Sequence, residues 1–203
     1  VILIYSYSKR ITSGDFSINN SGNLAFVTSS SFLYVHGMDS PFDIANIYLK
    51  TSSLVGGEAV GQIAISSNGS RALMSSSSNT ILQYDLAAPW NISSANLTPG
   101  VSYFSIPNSF NNIISHFFKP DGLMLFTLEN DYRTLRQYSL SSAYNLSTCT
   151  FIRSITTPVS GIYGTPVVNG LNSLYISNDG TRLFLLSSTT RTIYNYTMIT
   201  PWS

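Results

Sequence analysis

Short apolar runs alternate with turn signals along this chain, and the alternation itself repeats. Four turns superpose on a glycine: NNSG ending at Gly22, SSNG at Gly69, KPDG at Gly122 and SNDG at Gly180, with spacings of 47, 53 and 58 residues. An apolar run precedes each turn, at Phe16–Ile18, Ile63–Ile65, His116–Phe118 and Leu174–Ile176. A second run follows, at Leu24–Thr28, Ala72–Ser75, Leu125–Leu128 and Leu183–Leu186. The third run is the most regular. Leu33, Ile81, Leu135 and Ile193 share one column, then His36, Tyr84, Tyr138 and Tyr196, then Met38, Leu86, Leu140 and Met198. Pro41, Pro89, Ala143 and Pro201 close the unit, each followed by an aromatic: Phe42, Trp90, Tyr144 and Trp202. Runs this short, in β-rich composition with frequent turn residues, predict strands and not helices.

A fourth run follows in three units, at Asn46–Leu49, Val101–Ile106 and Thr150–Ile155. The last unit stops at Trp202-Ser203 without one, yet the chain opens on an unassigned run from Ile2 to Ile11. Lys9-Arg10-Ile11-Thr12 is similar in character to Ile152–Thr156. Ile2, Leu3, Ile4, Tyr5, Tyr7 and Ile11 are therefore expected to supply the missing outer strand of the last unit, within one chain or between copies. A unit of four short strands cannot cover its own faces and needs neighbours. The expectation is one domain over 1–203: a closing or donor strand 1–12, then units 13–61, 62–106, 107–157 and 158–203.

Each tight turn needs positive φ, which Gly adopts freely and Asn or Asp tolerates. The aromatics after the prolines are expected to pack between units; as a functional alternative they would form a sugar-stacking platform on a loop face. The innermost strands should line an axis, with Ser17, Ala64, Phe117 and Tyr175 in one column and Phe16, Ile63, His116 and Leu174 beside it. Around a narrow four-unit axis these side chains are expected to form a plug and not a pocket.

The pattern resembles a β-propeller repeat family with a DG turn, an L-(F/Y)-V strand and a QYxLS…PW segment. The matching residues are Asp121-Gly122, Asp179-Gly180, Leu183-Phe184-Leu185, Gln83–Leu86, Gln137–Ser141 and Asn145–Thr148. The resemblance implies an all-β, four-bladed propeller of four-stranded antiparallel blades, of a kind met in phage and bacterial surface or secreted proteins. Many relatives have more blades; the match between the N-terminal run and the C-terminal gap favours a complete four-bladed ring. Propellers serve binding, scaffolding and catalysis alike, so the resemblance speaks to fold more than function.

Charged residues make up 9% of the 203, against about 25% in ordinary domains. Ser, Thr, Asn and Tyr must supply solubility, which favours an extracellular, cell-surface or virion setting. Net charge is +1 with the cations scattered, so neither nucleic acid nor an anionic membrane surface is expected as a partner. No apolar run approaches the ~20 residues of a membrane-spanning helix. A lone Cys149 excludes an internal disulfide. Six Asn-x-Ser/Thr sequons occur, at Asn19, Asn68, Asn91, Asn96, Asn145 and Asn195; they are candidate glycosylation sites in a glycosylating host, though Asn19 and Asn68 also suit their turns.

No catalytic or cofactor motif stands out. His36 and His116 have no partner at metal-ligand spacing. The nine carboxylates do not recur in register; Glu129 and Asp131 are expected to pair with Arg133 or face solvent. Ser75–Ser78 is read as a loop without a nucleophile elbow. A propeller lactonase would need acidic or histidine ligands on the axis, which the innermost runs do not supply. The sequence thus predicts a non-enzymatic module without cofactor. Its partners are expected to be copies of itself in an appendage or fibre, or a larger surface or virion assembly. The alternative is a glycan- or protein-binding recognition module.

Overall fold

Each repeat folds into one antiparallel sheet whose strands follow chain order. The computed structural model describes residues 15–29, 32–43, 47–54, 60–76, 80–92, 101–105, 113–129, 134–156 and 170–203. Sheet 1 holds β1 (Phe16–Ile18), β2 (Leu24–Ser29), β3 (Phe32–Met38) and β4 (Ile47–Leu54). Sheet 2 holds β5 (Val60–Ile65), β6 (Arg71–Ser76), β7 (Thr80–Asp85) and β8 (Val101–Ser105). Sheet 3 holds β9 (Ile113–Phe118), β10 (Met124–Glu129), β11 (Thr134–Leu140) and β12 (Cys149–Thr156), with a 3-10 turn at Leu146–Thr148 before the last. Sheet 4 holds β13 (Leu171–Ile176), β14 (Arg182–Ser187) and β15 (Thr192–Thr197). Among the described residues it has three strands where the others have four. Among the described residues there is no α-helix, and no helix is long and apolar enough to cross a membrane.

The sheets stack face to face through a repeated joint. Phe26, Leu33 and Val35 of sheet 1 cluster with Ile63, Ala72, Met74, Leu82 and Tyr84 of sheet 2. Leu73 and Ile81, from the opposite face of sheet 2, cluster with Ile113, Leu125 and Tyr138 of sheet 3. Phe126, Leu128 and Leu135 of sheet 3 meet Leu171, Leu174, Ile176 and Leu185 of sheet 4. Side chains alternate across a strand, so one unit shows one set of columns forward and the other back. Burying each such Leu, Ile or Phe stabilises by about 1.5–3 kcal/mol.

The joints run β1 to β5, β5 to β9 and β9 to β13, with no comparable packing of β13 on β1 among the described residues. The four sheets therefore form an open arc, where a closed four-unit ring was expected. Nor do the innermost strands plug an axis: Phe16 is 61% exposed and Tyr175 is 50% exposed. The outer strand of sheet 1 runs on to Leu54, past the expected Leu49, because it stays paired with β3 through a register shift at Val35/His36. Ser75 and Ser76 belong to β6 and are buried, not part of a loop. Ile2, Leu3, Ile4, Tyr5, Tyr7, Ile11 and Asn96 lie outside the described residues.

The turn glycines carry the aromatics. Gly22, Gly69, Gly122 and Gly180 have φ near +72°. At each, an added Cβ would meet an aromatic ring at 2.3–2.5 Å: Phe42, Trp90, Tyr144 and Trp202 respectively. Gly122→Ala should cost about 2 kcal/mol or more, since it adds left-handed strain and displaces Tyr144. A urea midpoint lower at unchanged slope would show it; an unchanged midpoint would mean the ring does not sit over this turn.

Candidate interaction surface at the open end of the arc

The four aromatics expected to form either packing or a sugar platform are built into the repeat as latches. Each has positive φ, unusual for a bulky residue: 60° for Phe42, 64° for Trp90, 55° for Tyr144 and 62° for Trp202. Each also donates its backbone N–H to the carbonyl of the glycine beneath it, at 2.8 Å for Phe42 and Trp90, 2.9 Å for Tyr144 and 3.0 Å for Trp202. The Tyr144 hydroxyl adds a bond to the Pro120 carbonyl at 2.8 Å. Phe42 alone of the four is a large exposed apolar surface, at 61%.

One side-chain column ties each sheet to the next, and a second ties sheet 2 to sheet 3 and sheet 3 to sheet 4. The first lies beside the axis. Asp15 Oδ2 accepts from the Ile63 amide at 3.3 Å, Gln62 Oε1 accepts from the His116 amide, and Ser115 Oγ accepts from the Leu174 amide at 2.9 Å. Ser173 holds the same column in sheet 4, opposite Leu186 as Ser115 is opposite Leu128. The second column is the glutamine before the tyrosine of the third strand in sheets 2 and 3. Gln83 Oε1 accepts from the Leu146 amide at 2.9 Å, and Gln137 Nε2 donates to the Trp202 carbonyl at 2.7 Å. Asn195 stands in that column in sheet 4, opposite Phe184, and is exposed. The repeat pattern displayed Gln83 and Gln137, but their reach into the next sheet was not legible without the latch loop they meet.

Sheet 4 presents the corresponding columns to solvent. In the Leu33, Ile81, Leu135 and Ile193 column, exposure runs 1%, 0%, 8% and 67%. In the neighbouring column Leu128 is fully buried while Leu186 is 39% exposed. Tyr175 and Phe184 lie together on this face with ring centroids 6.2 Å apart. Beside β15, a cavity of about 500 Å³ opens between sheets 3 and 4, lined by Leu135, Ile155, Leu185, Tyr196 and Met198 among others. In sheet 3, Phe151 of the outer strand β12 fills the matching place, edge-on to Tyr138 at 5.8 Å and 67°.

Several ionisable groups are held within the sheets and turns. Glu129 is fully buried and takes a bond from Arg136 Nε at 2.6 Å; Asp131 and Arg133 lie outside the described residues. His116 is 2% exposed, edge-on to Phe118; burial pulls it down to about 4 against a smaller upward pull from the Leu73 backbone. Burial pushes the Cys149 thiol up to about 12, which leaves little thiolate for chemistry. Ser177 and Thr181 hold the exposed Asp179 down at about 2, a turn role. Among the described residues no group of three His, Cys, Asp or Glu could hold a metal ion.

The sequons differ in access. Asn19 is buried and its amide donates to Ser21 and Asn23, so its nitrogen belongs to the turn. Asn145 caps the 3-10 turn by accepting from Ser147 N at 3.2 Å. The Asn68 carbonyl accepts from the Ser66 and Ser70 hydroxyls, and its side chain is exposed, as is that of Asn91.

No known protein family and no curated protein matches this sequence. Solved structures do. The β-propeller domain of Cps50 (Swd1) from Myceliophteria thermophila superposes with a TM-score of 0.56 at 12% identity, over 92% of this chain and 54% of that one. The four sheets are blades of a β-propeller. A putative 6-phosphogluconolactonase from Bacteroides uniformis gives 0.58 at 12% identity over 91% and 50%, and a protein from Lactobacillus plantarum gives 0.59 at 14% over 90% and 50%. The chain spans about half the length of these structures. At such identities the likeness concerns blade architecture, and the lactonase name says nothing of chemistry here.

Two predictions test the blade interior. Glu129→Ala leaves Arg136 without its buried partner and should cost about 3–5 kcal/mol; denaturation of the variant against the parent measures it. His116 predicts acid sensitivity. Its folded value lies below the ordinary 6.5, so the unfolded chain takes up a proton that the folded chain refuses. Stability should fall by roughly 3 kcal/mol as pH drops from above 6.5 towards 4. His116→Leu should remove that share of the slope; equal slopes for parent and variant would refute it.

Proposed function

We propose that this chain is a non-enzymatic structural or interaction module, and that it works by assembly: an added outer strand completes blade 4 at the open end of the arc. The slot beside β15 carries this reading. Among the described residues blade 4 has three strands where the others have four, and the apolar cavity of about 500 Å³ lies where Phe151 sits in blade 3. Aligning Ile11-Thr12 with Ile155-Thr156 sets Tyr7 where blade 3 has Phe151. An edge strand with an apolar slot beside it suits strand addition, in which backbone bonds give affinity and side-chain pockets give register.

A closed four-bladed ring, with the strand supplied within the same chain, is the compact form of this idea. It needs blade 4 beside blade 1, since only Thr12–Asp15 tethers the strand to β1. The open arc favours donation between copies. Head-to-tail donation builds a ring or a fibre according to whether the rotation closes, as in a surface appendage. Low charge and a Ser/Thr/Asn-rich surface support an extracellular or virion setting. Recognition of a glycan or protein through the loop faces is the second reading, favoured by the exposed Phe42 ring.

Light scattering with negative-stain microscopy, on the intact chain and on one lacking Val1–Thr12, tests the proposal. Assemblies from the intact chain and soluble single arcs from the truncation are expected. A monomeric intact chain whose truncation unfolds would mean that the strand serves its own ring. A truncation that assembles like the parent would remove the strand from the function altogether.

A further inference from the structure

We infer that the cleft between the turn of blade 2 and the latch of blade 3 is a binding site for a neutral saccharide. This rests on the recognition reading for the kind of partner. It uses neither the strand slot beside β15 nor the exposed Phe42 ring.

The cleft holds about 450 Å³, within the ~300–1,000 Å³ usual for small-ligand sites. Blade 2 supplies one side with the turn at 66–70, Arg71 at the head of β6 and Asp85 at the end of β7. Blade 3 supplies the other with Asp121 of its turn and Tyr144 of its latch. Arg71 crosses between the blades. Its Nε donates to Asp85 Oδ1 at 2.8 Å and its Nη1 to the Ala143 carbonyl at 3.0 Å.

The polar groups are fixed before any ligand arrives. Asn68 Oδ1 accepts from the Ser66 and Ser70 hydroxyls at 2.9 and 2.8 Å, so Nδ2 is the donor this exposed side chain has left to offer. Asp121 Oδ1 accepts from the Leu123 amide at 2.9 Å and Oδ2 from Lys119 Nζ at 2.7 Å. The side chains of Asp85 and Asp121 stay 58% and 41% exposed, within reach of solvent and ligand. Groups held in this way lose little freedom on binding.

The chemistry selects the ligand. Each carboxylate has a cation beside it, Arg71 for Asp85 and Lys119 for Asp121. The cleft therefore has no excess charge to favour a phosphate, and among the described residues no group of three His, Cys, Asp or Glu could hold a metal ion. It offers donors and acceptors side by side. That suits vicinal hydroxyls, each of which donates and accepts. Leu86, Ala143 and Tyr144 add an apolar side for the C–H groups of a sugar ring.

Stacking of the blades does not demand these charges. Arg71 pairs in register with Asp85, but the same register holds Leu24 with Gly37 in blade 1 and Met124 with Ser139 in blade 3. The corner folds with neutral residues elsewhere, so the ion pair at this one place is open to a binding role.

Amide NMR of the intact chain, titrated with glucose, galactose, mannose and N-acetylglucosamine in turn, tests the site. At least one sugar should saturate, with the largest shifts at Ser70, Arg71, Asp121 and Ala143. Arg71→Met combined with Asp85→Ser installs the pair that blade 3 already carries, and should weaken that sugar by at least ~10-fold, as loss of a bond to a charged group does. A thermal melt close to the parent's would show the blades still stacked. Should the double variant melt early, Asp121→Asn carries the same test, since Asn68 fills that turn position in blade 2; it should also weaken the sugar. Phe42→Ala should leave binding unchanged. No saturable shift with any of these sugars overturns the inference, as does a response at these amides to inorganic phosphate or calcium in place of sugar. A sugar lost with Phe42→Ala but kept by the cleft variants leaves the recognition reading standing on another loop face and removes this cleft from it.

Discussion

Face-to-face packing of one blade on the next is the interaction on which the rest depends. A blade of three or four short strands has two apolar faces and almost no interior of its own. Met74 and Leu73, adjacent in β6, are both buried, one against blade 1 and the other against blade 3. Only a neighbour on each side allows this. The cooperative unit is thus the joint and not the blade.

The latch serves the same end. The turn glycine takes positive φ and, having no Cβ, lets a ring lie on its backbone, and the hydrogen bond from the aromatic's N–H to the glycine carbonyl fixes the loop after the third strand. Gln137 then reads the position of that loop in the next blade through the Trp202 carbonyl. A local turn preference is in this way converted into orientation between blades. Lys119 over the Trp202 ring at 5.7 Å and Phe117 stacked on it at 6.4 Å lock the last blade in the same manner.

Much of this was legible in the sequence because it repeats. Glycine, tyrosine and proline-aromatic columns gave strand order and turn positions, since turn residues and β-rich composition are local signals. Whether the arc closes was not legible. It depends on the rotation between blades, which arises from many small packing choices and leaves no single-residue mark. Glu129 with Arg136 escaped for a related reason: the pair lies across adjacent strands, and only the register of β10 on β11 brings it together. The aromatics after the prolines were read as inter-blade packing or sugar platform; their role over glycine required a φ that composition does not reveal.

Asn195 joins two facts that the fold otherwise keeps apart. Its column belongs to the bond that reaches the following blade, and it opens the tripeptide Asn195-Tyr196-Thr197. A branched sugar on that amide would occupy the volume a neighbouring blade needs. A glycosylating route of synthesis would then deliver this face of β15 covered, and a route without glycosylation would deliver it bare.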